Sequence, residues 1–152
     1  MQIDVERAPD PDVVRVLLRE YEASLGFTLE FQHFEVELAQ LPGDYAAPDG
    51  ALFVVRVDGE AAGCVALRRF APATCELKRL YVRPGRRGLG LGRLLTETAI
   101  AAARELGYRR MRLDTTPGME AAQELYRSLG FREIDRYRMN PVHGASFFEL
   151  EL

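Results

Sequence analysis

Six consecutive residues, Arg87-Gly88-Leu89-Gly90-Leu91-Gly92, constrain this chain more than any other feature. Before them, Thr74 to Val82 alternates like a strand, with Glu76, Lys78, Leu80 and Val82 on one set and Leu77, Arg79 and Tyr81 on the other. After them, Gly90 to Leu106 carries Leu91, Leu94, Leu95, Thr98, Ala102 and Leu106 at helical spacing, and Gly107 closes the run. A helix start leaves backbone N–H groups unpaired, and the helix dipole favours negative charge there. Glycines let an anion approach that backbone closely. Between Arg83 and Arg93 stand four glycines and four arginines. Such a concentration at a strand-to-helix junction points to a phosphate or pyrophosphate site. A flexible turn with a solvated arginine patch explains it less well.

The rest of the chain is ordinary for a water-soluble globular protein. It has 152 residues, 47% apolar and 28% charged, which fits a single domain over residues 1–152 with one substantial core. Cys64 and Cys75 each sit in a strand-like run and read as reduced thiols rather than a disulfide. His33 and His143 stand alone, so no metal site is expected. Met1 to Glu6 carries acids and no long apolar run, so a cytoplasmic protein without signal peptide or membrane span is expected. Charge is uneven: residues 1–50 hold eleven acids and three arginines, while residues 77–93 hold six basic residues and no acid. A short basic stretch in an acidic chain suggests a local anion site, not a nucleic-acid surface.

Asp10-Pro11-Asp12 starts a helix whose stripe is Val14, Leu17, Leu18, Tyr21 and Leu25, ending at Gly26. A second short helix covers Phe34 to Leu41. Asp58-Gly59 between Ala51–Val57 and Glu60–Phe70 is a hairpin signal. With Thr74–Val82 these strands form an antiparallel meander. Beyond the glycine loop, the pattern is a helix, a strand at Met111–Thr115, a helix at Met119–Leu129, and strands at Phe131–Tyr137 and Ser146–Leu152. A helical crossover implies a parallel pair. The expected fold is α/β: a mixed sheet of about seven strands, antiparallel first, with helices on both faces.

The loop lacks Gly-x-x-x-x-Gly-Lys-Ser/Thr, which excludes a P-loop. It follows an antiparallel meander, and no acid stands where a dinucleotide fold places one, Asp114 falling in mid-strand. Leu80-Tyr81-Val82-Arg83-Pro84 followed by Arg87, Gly90 and Gly92 resembles motif A of the GNAT family of N-acetyltransferases, Arg/Gln-x-x-Gly-x-Gly/Ala. Leu125-Tyr126-Arg127 with Leu129-Gly130-Phe131 is similar to that family's motif B. The order of elements fits from about residue 3 to 152. The resemblance implies acetyl-coenzyme A as cosubstrate, seated in a splay between two parallel strands, here Thr74–Val82 and Met111–Thr115. It implies that the pyrophosphate takes backbone N–H groups of Arg87, Gly88, Leu89, Gly90, Leu91, Gly92 and Arg93. It also implies that the pantetheine pairs with the backbone of Leu80, Tyr81 and Val82. One departure is Pro117-Gly118-Met119-Glu120, where many relatives carry an asparagine.

The implied activity is acetyl transfer to a primary amine of a small molecule or protein, by direct attack on the thioester. Tyr126 matches the motif B tyrosine facing the coenzyme sulfur, and so is the candidate acid; its place on an inward stripe equally suits a core aromatic. Glu76 is the candidate base, on the same strand face as Leu80, or else an exposed strand acid paired with Lys78 or an arginine. Asp114 is a weaker alternative, and water relays are a further one. Arg127 suits the 3′-phosphate or an exposed helix face. The acceptor region, Val13 to Tyr45, is rich in acids, which suits a cationic amine or a merely solvated surface; Phe27, Phe31, Phe34 and Tyr45 suit a pocket or the core. A non-catalytic acyl-coenzyme A sensor is the alternative function, and a nucleotide-phosphate binder a third. The last strand offers a way to pair across a homodimer.

Overall fold

The structure is a computed structural model describing residues 1–30 and 33–152. Phe31 lies outside the described residues. Asp58 (φ 49°) and Gly59 (φ 84°) both adopt left-handed conformations, the geometry of a tight hairpin turn. They join β2 (Ala51–Val57) to β3 (Glu60–Ala71), and β1 (Ile3–Arg7) and β4 (Thr74–Val82) flank this pair in antiparallel register. α3 (Leu91–Glu105) then crosses over to β5 (Arg110–Thr115), which runs parallel to β4. α4 (Glu120–Ser128), β6 (Arg132–Ile134) and β7 (Ser146–Glu151) complete a seven-stranded sheet of order β1-β2-β3-β4-β5-β7-β6. The mixed sheet with an antiparallel first half is thus the one expected.

Helices cover both faces because the central strands are apolar on both. On one face, Leu91, Leu95 and Ala99 of α3 and Tyr126 of α4 pack on Val55, Val65, Leu67, Leu77 and Phe148. On the other, Val14, Leu17 and Leu18 of α1 (Pro11–Leu25) and Phe34 and Leu38 of α2 (Phe34–Gln40) pack on Leu52, Val54, Cys64 and Ala66. Each of these large side chains contributes roughly 1.5–3 kcal/mol by burial, and truncating fully buried Leu17 to alanine would cost about 2–5 kcal/mol. Local signals set the α1 boundaries: the Asp10 carboxylate accepts the Asp12 N–H at 2.9 Å, Pro11 opens the first turn, and Gly26 (φ 77°) closes the helix.

Two expectations change. The strand expected over Phe131–Tyr137 is only Arg132–Ile134, because the chain then leaves the sheet and carries Tyr137 and Arg138 across to Glu76. β7 lies between β5 and β6, paired on both sides, so it has no open edge with which to build a dimer; the sheet edges are β1 and β6. Cys64 and Cys75 are buried on opposite faces of the sheet and unbridged. Among the described residues, no helix is long and apolar enough to cross a membrane.

Candidate active site

The parallel ladder between β4 and β5 is short. It pairs Thr74 with Arg110, Cys75 with Met111 and Glu76 with Arg112, then stops, although β4 continues to Val82 and β5 to Thr115. A bulge accompanies the parting. Ala66 of β3 faces Lys78, and Cys64 faces Tyr81, so the one residue between them on β3 opposes two on β4, Arg79 and Leu80. The additional residue bends the strand. Arg79 takes the left-handed conformation there, φ 63°, which costs a non-glycine residue about 1–2 kcal/mol. Opposing that cost, Glu37 accepts from its Nε at 2.9 Å and its Nη2 at 2.8 Å, and its guanidinium lies 5.1 Å from the Phe34 ring centroid.

The bulge also reverses which residues share a face. Cys75 and Leu77 lie on the α3 side, but beyond Arg79 so do Leu80 and Val82, while Tyr81 faces α1. Unbroken alternation placed Glu76 and Leu80 together; the bulge puts them on opposite faces. Leu77–Val82 consequently presents an edge toward β5 that no strand covers.

Directly after that edge, Pro84–Arg86 makes one 3-10 turn and the chain reaches α3 through Gly88 (φ 84°) and Gly90 (φ 77°). Both glycines are needed for backbone conformation. Gly90 caps α3, and no side chain bonds the first-turn amides. Arg87 bonds the Val82 carbonyl through Nε at 3.2 Å, and Arg93 bonds the Ser128 hydroxyl at 2.7 Å. Leu91 points into the core, 2% exposed, so only its backbone serves the helix start.

A cavity of about 320 Å³ fills the gap between the parted strands. Leu80, Tyr81, Val82, Arg87 and Tyr126 line it; Gly88 to Arg93 do not. Tyr126 is 6% exposed. Burial pushes its hydroxyl well above the ordinary phenol range, with further upward pushes from Tyr21 and Asp114. Tyr126 thus holds its proton at any physiological pH, as a proton donor must. Glu76 lies elsewhere. It is fully buried outside the cavity wall, accepting from Arg68 at 2.9 and 3.1 Å and from the Tyr137 hydroxyl at 2.7 Å, with Arg138 at 3.6 Å. The arrangement is an ion-pair cluster: Glu76 pairs with arginines, as the alternative expected, but it is buried rather than exposed.

The acids of the first fifty residues do not form an acidic groove. Glu20 binds Arg83, Glu35 binds Arg19, Glu37 binds Arg79, and Glu22 accepts the Leu29 amide. The cavity wall instead contains Tyr21, Lys78 and Asn140, none of which pattern reasoning singled out for a site. Tyr21 sits on the α1 stripe and looked like core. Lys78 stood out only as part of a basic stretch and as one alternative partner of Glu76. Asn140 arrives through an irregular segment, where it donates to Asp114 at 3.0 Å. Phe27 and Leu29 complete the α1 side, while Phe34 belongs to the core. Arg127 pairs with Glu133 at 3.4 Å on the α4 surface.

Residues 13–131 match the family model described as Acetyltransferase (GNAT) family. The chain belongs to that family. Among its GNAT relatives, an uncharacterised N-acetyltransferase of Schizosaccharomyces pombe is 41% identical over 150 residues, covering 97% of this chain and 92% of that protein. An uncharacterised N-acetyltransferase of Escherichia coli is 35% identical over 134 residues, covering 83% and 78%. The crystal structure of PaiA N-acetyltransferase from Thermoplasma acidophilum in complex with coenzyme A superposes with TM-score 0.77 at 18% identity, covering both chains in full. This GNAT chain is therefore an acyltransferase, and its mixed sheet with the parallel β4–β5 pair is the shared fold.

Proposed function

We propose that this GNAT acyltransferase moves an acetyl group from acetyl-coenzyme A to a primary amine. The observation that carries this reading is the uncovered edge of Leu77–Val82, continuing directly into uncapped amides at the start of α3. An extended pantetheine arm pairs with such an edge as an added strand does, and a diphosphate suits the helix start flanked by Arg87 and Arg93. The backbone of Leu80, Tyr81 and Val82 holds the arm, and Gly88 to Gly92 hold the diphosphate.

Transfer follows from that placement. The nitrogen lone pair of a neutral amine attacks the thioester carbonyl carbon. The carbonyl oxygen gains negative charge, which a free N–H at the bulged strand stabilises. As the tetrahedral species collapses, the carbon–sulfur bond breaks and the electron pair leaves on sulfur. The Tyr126 hydroxyl donates a proton to that thiolate and is reprotonated through cavity water, which also takes up the proton lost by the amine. Glu76 takes no part in this sequence, because its oxygens are engaged by Arg68 and Tyr137 away from the cavity.

Thiol release from acetyl-coenzyme A, followed with an amine panel in the wild type and in Tyr126→Phe, tests the reading. The expected result is amine-dependent release, reduced about 100-fold in the variant with coenzyme binding retained. Coenzyme binding without release for any amine would leave a sensor instead.

A further inference from the structure

We propose that the acceptor is a monoamine with an apolar body, and that the Tyr21 hydroxyl receives its nitrogen. This inference rests on the acetyl-transfer reading above and names the substrate class it leaves open.

The cavity reaches both faces of the sheet. Tyr126 lines it from the α4 side and Tyr21 from the α1 side. A coenzyme sulfur beside Tyr126 occupies the first side, so the acceptor comes from the second. There α1 and the chain after it supply Tyr21, Ser24, Leu25, Phe27 and Leu29 to the wall. The Ser24 hydroxyl is taken up by the Tyr21 carbonyl at 2.7 Å. The Tyr21 hydroxyl bonds no protein group among the described residues. Its ring lies edge-on to Tyr81, centroids 6.0 Å apart, and the Tyr81 hydroxyl donates to Glu20 at 3.3 Å. The phenol is thus held in place while its oxygen stays available.

Burial raises the Tyr21 hydroxyl above the ordinary phenol range against the pull of Arg79, and Asp114 adds to the rise. It therefore stays neutral. A neutral phenol oxygen can accept one N–H of the amine and leave the nitrogen lone pair to face the thioester carbon. A hydroxyl in such a wall costs stability unless something pairs with it. If packing were its only task, phenylalanine would fill the same space without that cost.

The charges on the wall exclude a second charged group on the acceptor. Arg79 is bound to Glu37, Arg87 to the Val82 carbonyl, and Lys78 is likewise engaged within the protein. Asp114, the sole carboxylate on the wall among the described residues, holds Arg138 at 3.1 Å and Asn140 at 3.0 Å. A further ammonium or carboxylate would lose water there and displace an existing partner. Leu25, Phe27 and Leu29 suit an apolar body beside the nitrogen.

The test uses two matched series with the wild-type protein: hexylamine against ε-aminocaproate and hexamethylenediamine, and phenethylamine against phenylalanine. Rates are corrected for the neutral fraction of each amine, and coenzyme A binding is measured by thermal shift alongside. The proposal predicts kcat/KM about 10- to 100-fold higher for at least one apolar amine than for its charged counterparts. Tyr21→Phe should lower kcat/KM for that amine about 3- to 10-fold, with the unfolding midpoint and the coenzyme A shift unchanged. Charged counterparts matching the apolar amine in both series, or turned over while neither apolar amine is, would overturn the substrate class alone. Unchanged kcat/KM in Tyr21→Phe would overturn the hydroxyl as the nitrogen's partner, and so would a variant that lost stability instead, since the hydroxyl would then serve the fold. Absence of coenzyme A binding, or coenzyme A binding without turnover of any amine, would overturn the acetyl-transfer reading and this inference together.

Discussion

Glu37 accepts both hydrogen bonds of a bidentate pair from Arg79, at 2.8 and 2.9 Å, across 42 residues of sequence. The pair ties α2 to the bulge that uncovers β4. Burial opposes the charge on Glu37, but the Arg79 hydrogen bonds and charge prevail and hold its carboxyl below the usual range. Glu37→Ala leaves a nearly buried guanidinium uncompensated, a loss of about 3–5 kcal/mol. Thermal unfolding should fall by roughly 6–20 °C. A midpoint within one degree of wild type would show that the pair does not hold the bulge.

Glu76 anchors a second cluster, so Glu76→Gln should behave as a structural change. It weakens the Arg68 and Arg138 contacts in a site with no solvent to replace them. The expected result is a lower denaturation midpoint, with the shape of the kcat–pH profile unchanged in the folded fraction. Loss of an acidic limb from that profile, without loss of stability, would restore Glu76 as the base.

Gly90 caps α3 at φ 77° with open space around its Cβ position. Gly90→Ala therefore meets no clash but adopts a conformation costing about 1–2 kcal/mol. Stability should drop by that amount, and coenzyme A affinity should fall with it as the helix start distorts. Equal affinity in calorimetry would mean that the diphosphate does not depend on this turn.

Lys78 gives stability a signature in pH. Its ordinary value of 10.5 is lowered to about 7 in the fold, so between those values the unfolded chain binds a proton that the folded chain lacks. Stability then rises with pH, by at most about 1.4 kcal/mol per pH unit. Chemical denaturation between pH 7 and about 8.5 should show this slope, before Cys64 and Cys75, both pushed up to about 12 by burial, begin to favour the unfolded chain. Lys78→Met should flatten it. A wild-type stability that falls through this interval contradicts a desolvated Lys78.

Much of this architecture was legible in local pattern. Asp58-Gly59 marked its hairpin, Asp10-Pro11 and Gly26 bounded α1, and the run from Arg87 to Gly92 marked the helix start. What pattern missed depends on partners distant in sequence. The left-handed conformation at Arg79 has no signature in Leu77-Lys78-Arg79-Leu80; it depends on Glu37 and Phe34 from another helix. That one residue moved Glu76 to the face opposite Leu80. The acids of the first fifty residues looked like a groove because composition cannot show that Arg19, Arg79 and Arg83 engage them. Tyr137 looked like the end of a strand because its hydroxyl's bond to Glu76 joins residues 61 apart.

Amide hydrogen exchange with and without coenzyme A tests the central claim most directly, because the claim concerns backbone groups. Saturating coenzyme A should slow exchange in Leu80–Val82 and in Gly88–Arg93, leaving β1 and β2 unchanged. Protection confined to other segments, or none at ligand concentrations that saturate binding, would contradict a coenzyme laid along the uncovered edge of β4.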